Sequence, residues 1–240
     1  MKVLELFSGT QSVSKEFRKR GHETLCVEFN DLFTNDEWDL PQWTTDILNV
    51  SVEEIIERLG GEPDIIWASP TCATHSVASI GKNRTKLPNG FLIAKSEKAK
   101  LHDKYLAKMI ELIEELNPKL YFIENPRGGM RKAEMMQRFN EKGRYTVTYC
   151  QYGEERMKPT DIWTNHPIPN FKPPCKNGDK CHVPAPRGSK TGTQGLKGNL
   201  ERSKIPKQLS KHIVKISEDL LNKSWEDMNR EKLKENSLWI

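Results

Sequence analysis

Two residues of this sequence, a thiol and a carboxyl, each close an apolar run and carry the clearest chemical potential. Cys72 ends Ser69-Pro70-Thr71-Cys72, directly after Asp64-Ile65-Ile66-Trp67-Ala68. A loop leaving a buried strand projects side chains into a cleft, where a thiol can serve as a nucleophile. Glu124 follows Leu120-Tyr121-Phe122-Ile123 and opens Glu124-Asn125-Pro126, which sets its carboxyl where a heterocycle can be gripped. A further group of residues suits a nucleoside cofactor. In Phe7-Ser8-Gly9-Thr10, Gly9 has no Cβ to hold a ligand away, and the helix that follows offers free N–H groups. Glu28, at the tip of the second apolar run, is placed to accept hydrogen bonds from ribose hydroxyls, and Asp46 in Thr45-Asp46-Ile47 suits an adenine amino group.

These residues need a scaffold that delivers them to one edge, and the hydrophobic pattern supplies it. Val3–Phe7 reads as a buried strand, Ser12–Arg20 as a helix stopped by Gly21, and Thr24–Val27 as a second strand ending at Glu28. Val52–Leu59 is helical up to Gly60-Gly61, and Asp64–Ala68 is a strand. Leu101, Tyr105, Met109, Leu112, Ile113 and Leu116 recur at helical spacing before Asn117-Pro118, and Leu120–Ile123 returns as a strand. Tyr145–Tyr149 and Asp161–Thr164 are further strand candidates, and Leu209, Ile213, Ile216 and Leu220 mark an amphipathic helix begun by Pro206. The alternation predicts an α/β fold with a mostly parallel sheet and ligands beyond the carboxyl ends of its strands.

The motifs also resemble a family. Leu4-Glu5-Leu6-Phe7-Ser8-Gly9, Ser69-Pro70-Thr71-Cys72, Phe122-Ile123-Glu124-Asn125-Pro126 and Gln151-Tyr152-Gly153 through Arg156 are similar, in order and spacing, to those of DNA cytosine-5 methyltransferases, particularly small phage-type members. Ser203-Lys204-Ile205-Pro206 with its helix resembles the family's closing motif. The resemblance implies a Rossmann-like, S-adenosylmethionine-dependent fold with a small irregular recognition lobe, in a phage or bacterial restriction-modification setting. It implies catalytic roles for Cys72, Glu124 and Arg156, and cofactor contacts from Phe7, Ser8, Gly9, Thr10, Glu28, Asp46, Ile47 and Pro70. Cys72 would add to cytosine C6 while Glu124 holds the N3 edge of a base flipped from double-stranded DNA. Arg156 would support that base or orient Glu124, and Asn125, Pro126 and Gln151 would contact it. The chain departs from the usual family pattern at Thr71, where proline is common, and at Ala73-Thr74-His75.

Bulk properties agree with a nucleic-acid partner. The 240 residues carry 38 Lys and Arg against 33 Asp and Glu, a formal net charge of +5, with mean hydropathy −0.72 and pI near 8.8, which favours a polyanion. Lys82, Arg84, Lys86, Lys95, Lys98, Lys100 and Lys104 lie between Ser79 and Lys104, and this stretch is expected to be a mobile loop closing over DNA, with Lys82 and Arg84 touching it. No run spans a bilayer and the amino terminus has no signal architecture, so a cytoplasmic monomer is expected. The expected division is residues 1–165 as the catalytic core, 166–204 as the lobe, and 205–240 as a returning helix with a polar tail. In the lobe Cys175, Cys181 and His182, with His166 or Cys150 nearby, could bind zinc, free cysteines being the alternative. Rival readings are an RNA cytosine-5 methyltransferase of similar build and a catalytically silent DNA-binding relative.

Overall fold

A computed structural model describes residues 1–30, 42–184 and 199–222. The main sheet has seven strands among these residues: β1 (Lys2–Leu6), β2 (Glu23–Glu28), β3 (Trp43–Thr44), β4 (Ile65–Ala68), β7 (Leu120–Pro126), β8 (Arg144–Thr148) and β9 (Pro159–Thr164). A separate hairpin joins β5 (Arg84–Lys86) to β6 (Leu92–Ala94). The helices are α1 (Ser12–Arg18), α2 (Val52–Leu59), α3 (Ile80–Asn83), α4 (Glu97–Leu116), α5 (Gln137–Gly143), α6 (Asn199–Ser203) and α7 (Lys207–Leu221). The sheet order is β3-β2-β1-β4-β7-β9-β8. Five strands from β3 to β7 run parallel, and β9 lies antiparallel between β7 and β8. The mostly parallel, Rossmann-like α/β sheet expected from the sequence is therefore present.

Both faces of this sheet are covered, which is why its strands are continuously apolar rather than alternating with polar residues. Successive residues point to opposite sides. Leu4, Ile66, Ala68, Tyr121 and Ile123 pack in one core with α2, α4 and α5, while Val3, Ile65, Trp67, Leu120 and Phe122 pack in the other with α1 and α7. Local chemistry sets the helix ends. Ser51 and Glu54 form a capping box at α2, whose end is Gly60 at φ +67°. Ser96 caps α4 by accepting from the Ala99 amide, and Asn117 closes it in the left-handed region before Pro118.

Register brings the functional loops to one height. Val27, Leu6, Ala68 and Ile123 form a side-by-side row across β2, β1, β4 and β7. The next residues along these strands are Glu28, Phe7, Ser69 and Glu124. Because β9 is reversed, its beginning lies at that same edge, so Lys158 and Pro159 arrive where the parallel strands depart.

Two expectations change in detail. The stretch from Ser79 to Lys104 is built as α3, the β5–β6 hairpin and the first turns of α4 rather than as one loop. The strand read as Asp161–Thr164 starts at Pro159, a residue that a strand interior excludes but a first position accepts. Of the expected lobe, residues 166–184 contain no helix or strand, while 185–198 lie outside the described residues, as does the polar tail at 224–240.

Candidate active site

Cys72 sits in a loop fastened on both sides by the segment that carries Glu124. Before it, the buried carbonyl of Pro70 accepts a 2.7 Å hydrogen bond from Asn125 Nδ2. After it, the His75 carbonyl accepts from the Gly129 amide at 2.7 Å. A Cβ on Gly128 would meet that carbonyl at 2.7 Å, so the close approach requires glycine there. Asn125 is 1% exposed. The β4 loop and the end of β7 thus form one unit, with the thiol at partial exposure between two anchored carbonyls.

Glu124 is buried, and its Oε1 accepts from the Tyr149 hydroxyl at 2.9 Å. Burial pushes its carboxyl above the usual range, opposed by the charge of Lys158 and by hydrogen bonds from Tyr149 and Ser69. Burial likewise pushes the Cys72 thiol up, and the Glu124 charge adds to that, while Lys158 pulls it down. Lys158 is therefore the cation common to thiol and acid. Its Nζ lies 4.3 Å from the Tyr149 ring centroid and donates to the Arg202 carbonyl at 3.0 Å. Desolvation lowers its own pKa, with Glu124 acting in the opposite direction. Lys158 adopts φ +28°, a strained conformation of the kind that gathers at functional sites.

On the β1–β3 side lies a cleft of about 360 Å³, lined by Phe7, Glu28, Asp46 and Ile47 with Val27, Phe29, Asn30, Thr45, Thr71, His102 and Tyr105. Thr71 makes it continuous with the Cys72 loop. Glu28 Oε2 accepts from the Gly9 amide and Oε1 from the Phe29 amide, both at 2.9 Å. A carboxylate offers about four acceptor positions, so further donors can be taken. Asp46 Oδ1 caps the turn at Ile47–Asn49 by accepting from the Leu48 amide. Phe7, Gly9 and Gln11 all have positive φ, which bends the loop sharply after β1. Ser8 and Thr10 are buried within it, and Ser8 Oγ has no hydrogen-bond partner among the described residues.

Other residues singled out in the sequence lie elsewhere. Arg156 pairs with Glu154, its Nε donating at 2.8 Å, rather than with Glu124. Gln151 Nε2 lies 2.7 Å from Cys175 Sγ, facing the cysteine cluster. Pro126 ends β7 opposite Thr160. Arg84 is 4% exposed and bonded to Asp103 and Thr74, so it is not presented to a phosphate; Lys82 is exposed. Cys175, Cys181 and His182 converge with Cys150, not with His166, whose Nε2 contacts the Ile216 carbonyl. Sequence reasoning missed Tyr149 and Lys158. Their position immediately before the Gln151 motif and immediately before the Pro159 strand was the available signal.

Similarity to known proteins adds to this geometry. Over 190 residues the chain is 32% identical to a protein of Frog virus 3 (isolate Goorha) named probable DNA (cytosine-5)-methyltransferase, covering 75% of this chain and 78% of that one. The chain matches no protein-family model. Among solved structures, a mutant DNMT2 from Spodoptera frugiperda aligns with TM-score 0.46 and 16% identity over 77% of this chain and 57% of that one. The S. pombe Dnmt2 methyltransferase aligns with TM-score 0.46 and 12% identity over 68% of this chain and 49% of that one. This chain thus spans about half the length of those two.

Proposed function

Since the chain belongs to the DNA cytosine-5 methyltransferase family, we propose that it moves a methyl group from S-adenosylmethionine to carbon 5 of cytosine in DNA, with Cys72 as covalent nucleophile. The observation that carries this reading is the double tie of the Cys72 loop to the Glu124 segment, through Asn125 to Pro70 and Gly129 to His75. It fixes a thiol and a carboxyl as a single tool.

The cleft fits the cofactor. Its volume of about 360 Å³ falls in the range of roughly 300–1,000 Å³ for small-molecule sites. Glu28 suits the ribose, and Ile47 and Phe29 suit the adenine faces. When bound, S-adenosylmethionine supplies an electrophilic methyl group.

Cytosine C5 is too weakly nucleophilic to take that methyl group unaided. The Cys72 thiolate adds to C6, forming a carbon–sulfur bond and giving C5 enamine character. Glu124, whose pKa burial raises, acts in its acid form, giving N3 a proton and offsetting the negative charge that develops on the ring. Tyr149 holds the other side of that carboxyl, and the Lys158 ammonium favours the thiolate. After transfer, C5 loses its proton to water or a basic group, the carbon–sulfur bond breaks, the thiolate leaves, and N3 returns its proton to Glu124. Reaching C6 requires the base to leave the duplex, at a cost of a few kcal/mol. The exposed Lys82, Lys86, Lys95 and Lys98 beside the Cys72 loop are suited to phosphate contacts that offset it.

The test is incubation with labelled cofactor and mixed-sequence DNA, then mapping of modified bases. Methyl label on cytosine C5 is expected. The Cys72→Ser variant should lose transfer while retaining cofactor binding, and DNA containing 5-fluorocytosine should trap the native protein covalently. Undiminished transfer by Cys72→Ser, or label on tRNA alone, overturns the reading.

A further inference from the structure

Apart from the methyl-transfer site, the described residues hold one cluster of metal-ligating side chains. One ligand atom each from Cys150, Cys175, Cys181 and His182 lies within 4.8 Å of all the others. Cys150 belongs to the turn at Tyr149–Tyr152 that follows β8, whereas the other three come from the irregular segment. Such soft and borderline donors, three sulfurs and one imidazole, are the set that tetrahedral zinc takes.

We propose that Cys150, Cys175, Cys181 and His182 form a structural zinc site that fastens the irregular segment to the end of β8. Two of the ligand spacings agree with it. Zinc bonds of about 2.3 Å to sulfur and about 2.0–2.1 Å to nitrogen, at tetrahedral angles, set ligand atoms about 3.8 Å apart for two sulfurs and about 3.6 Å apart for sulfur and nitrogen. The Sγ atoms of Cys181 and Cys150 are 3.7 Å apart, and Cys181 Sγ lies 3.4 Å from His182 Nδ1. The Sγ atoms of Cys175 and Cys181 are in contact, but their Cα atoms are 7.4 Å apart, beyond the span of roughly 4.4–6.8 Å usual for a disulfide.

The segment needs such a fastening. Residues 166–184 form no helix or strand, and a stretch this short cannot bury enough apolar surface to order itself. Its first half is held by Phe171, which packs against Tyr145 and His212, while three backbone amides tie it to one place: Cys175 N to Thr148 Oγ1, Lys172 N to the Tyr152 hydroxyl, and Val183 N to the Glu155 carbonyl, each at 2.9 Å. All three reach the stretch from Thr148 to Glu155, where Cys150 also lies. Metal would join them into one rigid corner.

The experiment uses the full chain purified without chelator, its zinc measured by mass spectrometry and its thiols counted after denaturation without reductant. Zinc at one per chain with all five cysteines titrating is expected. Three thiols, a disulfide taking two of the five, or zinc below about a tenth of an equivalent, overturns the site. Cobalt substitution of the native protein should give thiolate charge-transfer and tetrahedral ligand-field bands, and their absence counts against it without recourse to variants. Cys181→Ser should lose zinc, whereas Cys72→Ser should keep it. Chelation should speed tryptic cleavage after Lys180 at least tenfold, and an unchanged rate refutes the fastening role. None of these readouts depends on methyl transfer.

Discussion

Replacing Tyr149 by phenylalanine isolates one hydrogen bond at the acid. The hydroxyl donates to Glu124 Oε1 at 2.9 Å, and Tyr149 is completely buried. Phenylalanine keeps the ring that packs in the core and lies beneath Lys158, so only the oxygen is lost. A bond to a neutral acceptor contributes about 0.5–1.5 kcal/mol, and one to a charged acceptor about 1.5–3 kcal/mol. In the proposed reaction the Glu124 carboxyl moves from neutral towards carboxylate as the ring accepts its proton. The hydroxyl therefore stabilises the transition state over the ground state by the difference, about 1–1.5 kcal/mol, or roughly 5- to 13-fold in kcat. A pH effect accompanies it. The Tyr149 bond lowers the Glu124 pKa, so its removal raises that pKa further and moves the alkaline limb of kcat to higher pH. Single-turnover methyl transfer at saturating cofactor and DNA, measured across the pH range, reads both quantities. A Tyr149→Phe variant with kcat within twofold of native and an unmoved limb refutes the reasoning.

Asn125→Ala leaves the buried Pro70 carbonyl without its donor, and should cost about 1–3 kcal/mol of stability in denaturant titrations. The loosened loop should lower transfer by up to about 100-fold, with cofactor affinity retained; native-like stability and rate together contradict the tie. His75 is buried, neither ring nitrogen has a hydrogen-bond partner among the described residues, and Nε2 stands 4.0 Å from Asp103 Oδ1; burial, followed by the charges of Arg84 and His102, holds its pKa down to about 3. Because the folded value lies below the unfolded value of about 6.5, its contribution is complete above that pH. It is lost as pH falls towards 3, at about 1.4 kcal/mol per unit. Urea titrations between neutral and mildly acidic pH should show a shallower loss in His75→Gln than in the native protein, and equal slopes refute this origin.

The strands that bear chemistry were legible because each is a short apolar run ending in a small or polar residue, as at Ala68-Ser69 and Ile123-Glu124. Helix α2 could be bounded from Ser51 and Gly60 alone, since capping is local. What escaped was set by tertiary pairing. Lys158 and Tyr149 carry no motif of their own; β9 entering the sheet in reverse brings the lysine to the thiol, and the turn after β8 aims the hydroxyl at Glu124. Arg84 read as one more basic surface residue, yet Asp103 and Thr74 take its guanidinium into the interior, a pairing across 19 positions that spacing does not reveal. The sequence offered both Cys150 and His166 beside Cys175, Cys181 and His182, and only the fold brings Cys150 to them, since the cluster closes in space and not along the chain.

The order of strands also lays the chemistry out along a line. From β2 through β4 and β7 to β9, the edge presents Glu28, Cys72, Glu124 and Lys158 in succession. In the proposed reaction the methyl donor is handled on one flank and the proton on the other, with sulfur at the boundary. Substitutions that retune acidity near β9 need not disturb the grip on the methyl donor beside β2, and remodelling of that grip need not alter the acid. The two halves of the enzyme are separable traits, joined through a single atom.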